Sequence, residues 1–219
     1  MRALPAVWID GPTLHAFLGN RRPFLTAKRL LTNQTFRDIY RTDTLDVDQR
    51  LKITSLTFLF TDLEGSTELY ERVGDLVAYD LVKAHFRVLQ DIVAGEAGAV
   101  VKTIGDSVMA TFPTPDRALN AALRMRGAIR DLDRHLGLKI GIHEGPCLAV
   151  VLNERQDYFG QTVNIAARVQ GLAESRAIFA TRPIVEQSAK LLQAHGLTPA
   201  PHEHMLRGLA NEVTIYEIG

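Results

Sequence analysis

The run at residues 53–61 (ITSLTFLFT) constrains the fold more than any other stretch of this chain. It is β-branched and aromatic, short, and apolar on both faces, as a central strand should be. A central strand needs neighbours on both sides, and the rest of the chain supplies them in a definite order. Gly65-Ser66-Thr67 opens a long helical stretch to about residue 94, where Leu69, Val73, Leu76, Tyr79, Val82, Phe86, Leu89 and Val93 step by three or four. Strands follow at 99–103 and 107–112, joined by Ile104-Gly105-Asp106, a turn signal because Gly and Asp tolerate positive φ. A helix is predicted over 115–136, strands over 138–143 and 147–152, and a helix over 162–173. A strand at 177–181, a helix at 183–193 and a strand at 212–218 complete the pattern. The order β-α-β-β-α-β predicts an α+β, ferredoxin-like core with a C-terminal αββ extension. In that arrangement helices cover one face of an antiparallel sheet. The first strand is expected beside the strand that follows the first helix.

Composition narrows the partners. Lys+Arg 25 balance Asp+Glu 25, so no strong positive field points to nucleic acid or to an anionic membrane. The single cysteine, Cys147, excludes an intrachain disulfide and a multi-cysteine zinc site, and its apolar strand marks it as a small buried hydrophobe. No apolar run approaches the roughly 18 residues of a membrane helix, and the opening residues are too weak for a secretory signal. A soluble, cytoplasmic setting is expected.

Residues 1–52 are basic and poor in strand patterns. Phe24, Ala27, Leu30, Leu31 and Ile39 predict one helix over 23–40, followed by a polar, acidic linker at 42–49. This segment reads either as a structural helix packed on the rest of the chain or as a coupling element to an upstream sensor. Residues 53–219 form the second unit.

No GxxxxGK[ST] loop, strand-borne GxGxxG, HExxH or GxSxG occurs. His202 and His204 could share a strand face, but no third metal ligand accompanies them, and His143 reads as a packed core histidine. The acidic residues are more informative. Asp62 follows the first strand and Asp106 lies in the hairpin, so both carboxylates can meet at one end of the sheet. Two carboxylates there repel unless a cation sits between them, and hard oxygen ligands suit Mg²⁺ or Mn²⁺. Beside Asp62, Gly65, Ser66 and Thr67 lead into a helix whose free N–H groups and positive dipole end suit phosphates. Each aspartate alone could be a helix cap or a turn residue.

Four segments in order then carry a resemblance: FTDLEGST (60–67), KTIGDSVMATF (102–112), GIHEG (141–145) and DYFGQTVNIAARV (157–169). Together they resemble the catalytic domain of class III nucleotidyl cyclases over about residues 55–218. The resemblance implies a ferredoxin-like domain working as a head-to-tail homodimer with active sites at the interface. It implies two Mg²⁺ or Mn²⁺ ions per site, held at Asp62, Leu63 and Asp106. Lys102 and Asp157 match the adenine-selecting pair, and Asn164 and Arg168 match the residues acting on the ribose and the transition state. Gly65, Ser66 and Thr67 fall at the nucleotide, and Arg207 loosely matches a C-terminal basic residue that touches phosphates. Pro146 stands where some members carry an arginine after GIHxG, removing one triphosphate contact. Little room is left before Asp157 for a long dimerisation arm.

The implied reaction is conversion of ATP to cyclic AMP and pyrophosphate by attack of the ribose 3′-hydroxyl on the α-phosphorus. Asp157 can accept from adenine's exocyclic amine and Lys102 can donate to N1, whereas guanine presents the opposite polarity at those edges. The competing readings are a nucleotide-sensing module that binds ATP without turnover, and a guanylate cyclase.

Overall fold

The computed structural model describes residues 27–39, 50–152, 155–174, 176–207 and 212–219. The linker expected at 42–49 and parts of the helix expected over 23–40 lie outside the described residues.

An eight-stranded sheet organises the fold. Strand β1 (Leu51–Glu64) is central, with β3 (Ser107–Phe112) on one side and β4 (Gly137–Leu152) on the other, both antiparallel. The hairpin partner β2 (Ala99–Ile104) forms one edge. Beyond β4 lie β6 (Ile178–Thr181), β8 (Val213–Ile218) and β7 (Ala200–His204), while β5 (Arg155–Phe159) pairs with the far end of β4. The β-α-β-β-α-β core thus has the strand order β2-β3-β1-β4. The sequence expectation placed β1 beside the strand after the first helix; instead β3 intervenes, because the tight Gly105 turn folds β3 back inside β2.

Alternation on β1 separates two faces. Leu59 and Leu63 join one core with Leu89, Val93, Leu119 and Ile129, from helices α4 (Asp75–Gly95) and α5 (Pro115–Leu132). Phe58 and Phe60 join the other core with Met109, Tyr158 and Ala166, the last from helix α6 (Gln161–Leu172). Helices therefore cover both faces, not one as the ferredoxin-like pattern suggested. Helix α1 (Ala27–Leu31) also contributes to the second core, through the buried Leu31.

Three expected helices are broken, each at an identifiable residue. Gly74, at φ +79°, separates α3 (Ser66–Val73) from α4. Asn33 ends α1 and starts α2 (Gln34–Ile39): its side-chain oxygen accepts the Phe36 N–H at 2.9 Å, an N-cap that resets the helix. The helix expected at 183–193 is divided at Ser188 into α7 (Arg182–Gln187) and α8 (Ala189–Ala194). Conversely, the strands expected at 138–143 and 147–152 are one continuous β4, bent where the pairing with β1 slips between Ile53 and Leu56.

The two glycines of GIHEG have a packing role. A Cβ on Gly141 would lie 2.1 Å from the Gln170 backbone nitrogen, and one on Gly145 would lie 2.7 Å from Thr162 Oγ1. Bare backbone at both positions lets α6 lie directly on β4, and the Thr162 hydroxyl locks its start by donating to the Pro146 carbonyl at 2.6 Å. Gly141→Ala must push α6 off the sheet, which costs about 1–3 kcal/mol. A fall of several degrees in Tm, with loss of whatever activity α6 supports, is expected in a thermal melt paired with an activity assay.

Candidate active site

Asp62, expected just after the first strand, lies within the end of β1, opposite Lys139 of β4. It shares the parity of Phe58 and Phe60, so its side chain falls on the α6 face. The Ser107 hydroxyl donates to Asp62 Oδ1 at 2.6 Å, and Asp106 is the preceding residue, in the adjoining turn at the same end of the sheet. Among the described residues neither carboxylate has an ion-pair partner; Lys139 turns instead to Glu64 at 3.6 Å. Leu63 faces the opposite way, its side chain 3% exposed in the core, so only its backbone carbonyl is available to a metal.

These residues fit a hard divalent cation. Two uncompensated carboxylates at one sheet end supply anionic oxygen, and the described residues hold no cluster of three or more His, Cys, Asp or Glu. The remaining ligands would have to come from backbone, water or phosphate oxygens, as is usual for Mg²⁺. Next to this pair Gly65 turns the chain at φ +81°, a conformation suited to glycine; a Cβ there would also meet the His135 carbonyl at 3.1 Å. The first α3 bond runs from Leu69 N–H to Gly65 O at 2.9 Å, so the N–H groups of Ser66 and Thr67 precede the ladder.

Lys102 stands opposite Met109 and so projects from the same face as Asp62. Asp157 reaches it because the β4–β5 hairpin arches back over the sheet, with Tyr158 packed edge-on against Phe58 at 5.5 Å between centroids. Lys102 Nζ lies 2.6 Å from Asp157 Oδ2. Burial raises the Tyr158 hydroxyl pKa to about 12, so the anchor of this arch stays neutral. Asn164 and Arg168, one turn apart on α6, are exposed and half-buried, and among the described residues neither makes a side-chain hydrogen bond or ion pair.

Five of the six principal residues thus share one face, and Asp106 closes its end. Arg207 is exposed and without a hydrogen bond or ion pair among the described residues. Its neighbour Leu206 is buried with Val169 and Ala173, which places Arg207 in the chain beside α6. Residues 208–209 of the LRGL segment lie outside the described residues. His202 pairs loosely with Glu217, at 3.5 Å, and ring-stacks on Phe179.

Sequence reasoning missed one buried titratable residue near the candidate site. His85, fully buried on α4, lies within the electrostatic reach of Asp106; burial drives its ring down to about 4, against the opposing pull of Asp106 and the Val82 backbone. It was hidden because its position fits the helical apolar stripe. His143 holds Thr181 through Nδ1 to Oγ1, at 2.8 Å, and burial lowers its ring to about 4 as well. Cys147 is buried and its thiol is pushed up to about 11.

The His143 shift has a stability consequence. Its folded value lies below the unfolded 6.5, so between pH 6.5 and 4 the unfolded chain binds the extra proton. Stability therefore falls as pH falls through that window, by about 3 kcal/mol from this ring alone. Urea unfolding at pH 7 and 4.5 should show this slope, and His143→Gln should make it shallower, the remainder coming from His85, whose ring is lowered alike.

Comparison with known proteins shows the family. Residues 49–216 match the family of adenylate and guanylate cyclase catalytic domains, and residues 1–38 match a family of unknown function, DUF5939. An adenylate cyclase of Streptomyces griseus is 30% identical over 191 residues, covering 86% of this chain and 45% of that protein. Adenylate cyclase 2 of Rhizobium meliloti is 31% identical over 135 residues, 54% of this chain and 37% of that protein. The chain thus spans less than half the length of these curated relatives. Among solved structures, the adenylyl cyclase CyaB from P. aeruginosa superposes with a TM-score of 0.68 at 22% identity, covering 78% of this chain and 96% of that one. The guanylate cyclase domain of RhGC from Catenaria anguillulae, solved with GTP, also gives 0.68, at 20% identity, covering 77% and 98%. No helix among the described residues is long and apolar enough to cross a membrane. With a family match across three quarters of its length and the same fold around the same sheet, this chain belongs to the adenylate and guanylate cyclase catalytic domain family.

Proposed function

We propose that the chain is an adenylate cyclase that converts ATP to 3′,5′-cyclic AMP and pyrophosphate at a site shared between two copies. The observation carrying the purine choice is the Lys102–Asp157 contact at 2.6 Å, which presents a donor and an acceptor side by side. Adenine offers N1 as acceptor and its exocyclic amine as donor, matching both. Guanine offers an N–H and a carbonyl there, leaving both protein groups unpaired.

The chemistry assigns each residue a task. Ser66 and Thr67 direct N–H groups at the phosphate chain. Divalent cations at Asp62, the Leu63 carbonyl and Asp106, two per site, would acidify the 3′-hydroxyl and neutralise the triphosphate. Asn164 orients the ribose, which converts binding into proximity. As the O3′–Pα bond forms and the bond to pyrophosphate breaks, charge grows on the α-phosphoryl oxygens. The Arg168 guanidinium is suited to stabilise that charge bidentately. The 3′-hydroxyl proton is not assigned to a protein base.

A homodimer is supported by what the site face leaves exposed. Leu148 (37% exposed), Leu152 (47%) and Phe159 (50%) lie on the β4–β5 hairpin and Ile104 (54%) at the β2–β3 turn, exposed large apolar side chains on the elements that carry Asp157 and Lys102. In that reading Asp62, Lys102, Asp106 and Asp157 come from one subunit, and Asn164 and Arg168 from its partner. An upstream sensor, acting through residues 1–52, belongs to the same proposal. The test supplies ATP and GTP separately with Mn²⁺ and quantifies both cyclic products. Cyclic AMP in large excess is expected, and Asp157→Ala should erode that preference. Equal products, or a preference for GTP, would overturn the purine assignment.

A further inference from the structure

We infer that Arg37 is a specificity-positioning residue: through α2 it fixes the strands that carry Lys102 and Asp157 at the spacing that reads the purine edge. The inference rests on the purine reading above. Both strands need such a brace. Among the described residues β2 pairs only with β3, and β5 only with β4, so each has one edge without a strand partner there. The Lys102–Asp157 contact cannot itself hold them, because Lys102 is 42% exposed and an ion pair this open contributes little.

Helix α2 bridges the gap with two ties. Gln34 Oε1 accepts the Val100 N–H at 2.7 Å, two residues before Lys102, at a β2 site where the pairing register slips. Arg37, one turn later on the same helix face, grips the two neighbours of Asp157. Its NH1 donates to Gln156 Oε1 at 2.9 Å and to the Tyr158 hydroxyl at 3.4 Å, and its NH2 donates to the Gln156 carbonyl at 3.1 Å. The guanidinium carbon also lies 5.9 Å from the centre of the Tyr158 ring. Further bonds stiffen the brace: Gln34 Nε2 donates to Asp38 at 2.8 Å, and the Tyr158 hydroxyl donates to the Leu31 carbonyl at 3.3 Å. Arg37 thus holds the residues on either side of Asp157 while Asp157 itself points at Lys102. A guanidinium fork is required, since an ammonium cannot reach a side-chain amide, a backbone carbonyl and a phenol in fixed directions.

The test compares wild type with Arg37→Ala, Arg37→Lys, Gln34→Ala and Asp157→Ala, measuring kcat and KM for ATP and GTP alongside Tm. Arg37→Ala and Arg37→Lys should each lower the ATP-over-GTP ratio of kcat/KM by roughly five- to tenfold, mainly through the KM for ATP, and Asp157→Ala by more. Gln34→Ala should move the ratio in the same direction. Arg37→Lys keeps the charge and most of the bulk, so it decides the question should Arg37→Ala fail to fold. A shifted ratio in Asp157→Ala with unchanged ratios in the Arg37 and Gln34 variants would show that α2 is only a structural strap. An unchanged ratio in Asp157→Ala would remove the purine reading, and this inference with it.

Discussion

Asp62→Asn is expected to remove cyclic nucleotide formation while leaving the fold intact. The asparagine can still accept the Ser107 hydroxyl, which now donates at 2.6 Å, so the packing at the end of β1 is preserved. A half-exposed position of this kind shifts stability by no more than about 1 kcal/mol on such a change. What is lost is one of the two charges proposed to hold the cation at this end of the sheet. Metal stabilisation of developing charge is worth several kcal/mol, which converts to roughly a thousandfold in rate. Asp106→Asn should behave alike, and the two together should be little worse than either, because they act as one unit. Product formation at saturating Mn²⁺, read beside a thermal melt, checks this. Near-normal turnover in either variant would contradict the assignment of the pair.

Arg168→Ala has the second largest expected effect, roughly a hundred- to thousandfold in kcat. Arg168 is half-buried and has no hydrogen bond or ion pair among the described residues, so none of these competes for its guanidinium. In the proposed role its contact is made with charge that appears only as the α-phosphorus is attacked, so kcat should fall while the KM for ATP changes little. Arg168→Lys restores charge but not the planar fork and should recover only part of the rate. A variant that raised KM with kcat intact would recast Arg168 as a ground-state binder.

The fold was legible in outline, and the candidate site residues were legible as local relations, for a physical reason. Aspartates at a strand end and a turn, a lysine four residues before the second, and an asparagine and arginine one helical turn apart are local relations that a sequence displays directly. The structure places Asp62, Lys102, Asp157, Asn164 and Arg168 on one face through long-range geometry that no local pattern shows. One part of that geometry is the bare backbone at Gly141 and Gly145, which seats α6 on β4; another is the β4–β5 arch that carries Asp157 to Lys102. Strand β7 went unseen because it is a polar edge strand (APHEH), mostly exposed, with no alternation to read. The split helices at Asn33, Gly74 and Ser188 kept their apolar period on both sides of each break, so periodicity alone ran through them. The N-terminal ties are likewise invisible, since Arg37 meets Gln156 across 119 residues of chain.

The central claim is that two copies of this chain build each active site together. The most direct measurement is cyclic AMP formation by wild type, Asp62→Asn, Arg168→Ala and a 1:1 mixture of the two variants, with dimer formation checked in each sample. In a mixed dimer one site inherits both intact residues and the other neither. Half the dimers are mixed and each carries one working site, so activity should return to about a quarter of wild type. A mixture that forms dimers yet stays as inactive as its components would contradict the shared site and place all six residues in one subunit's own chemistry.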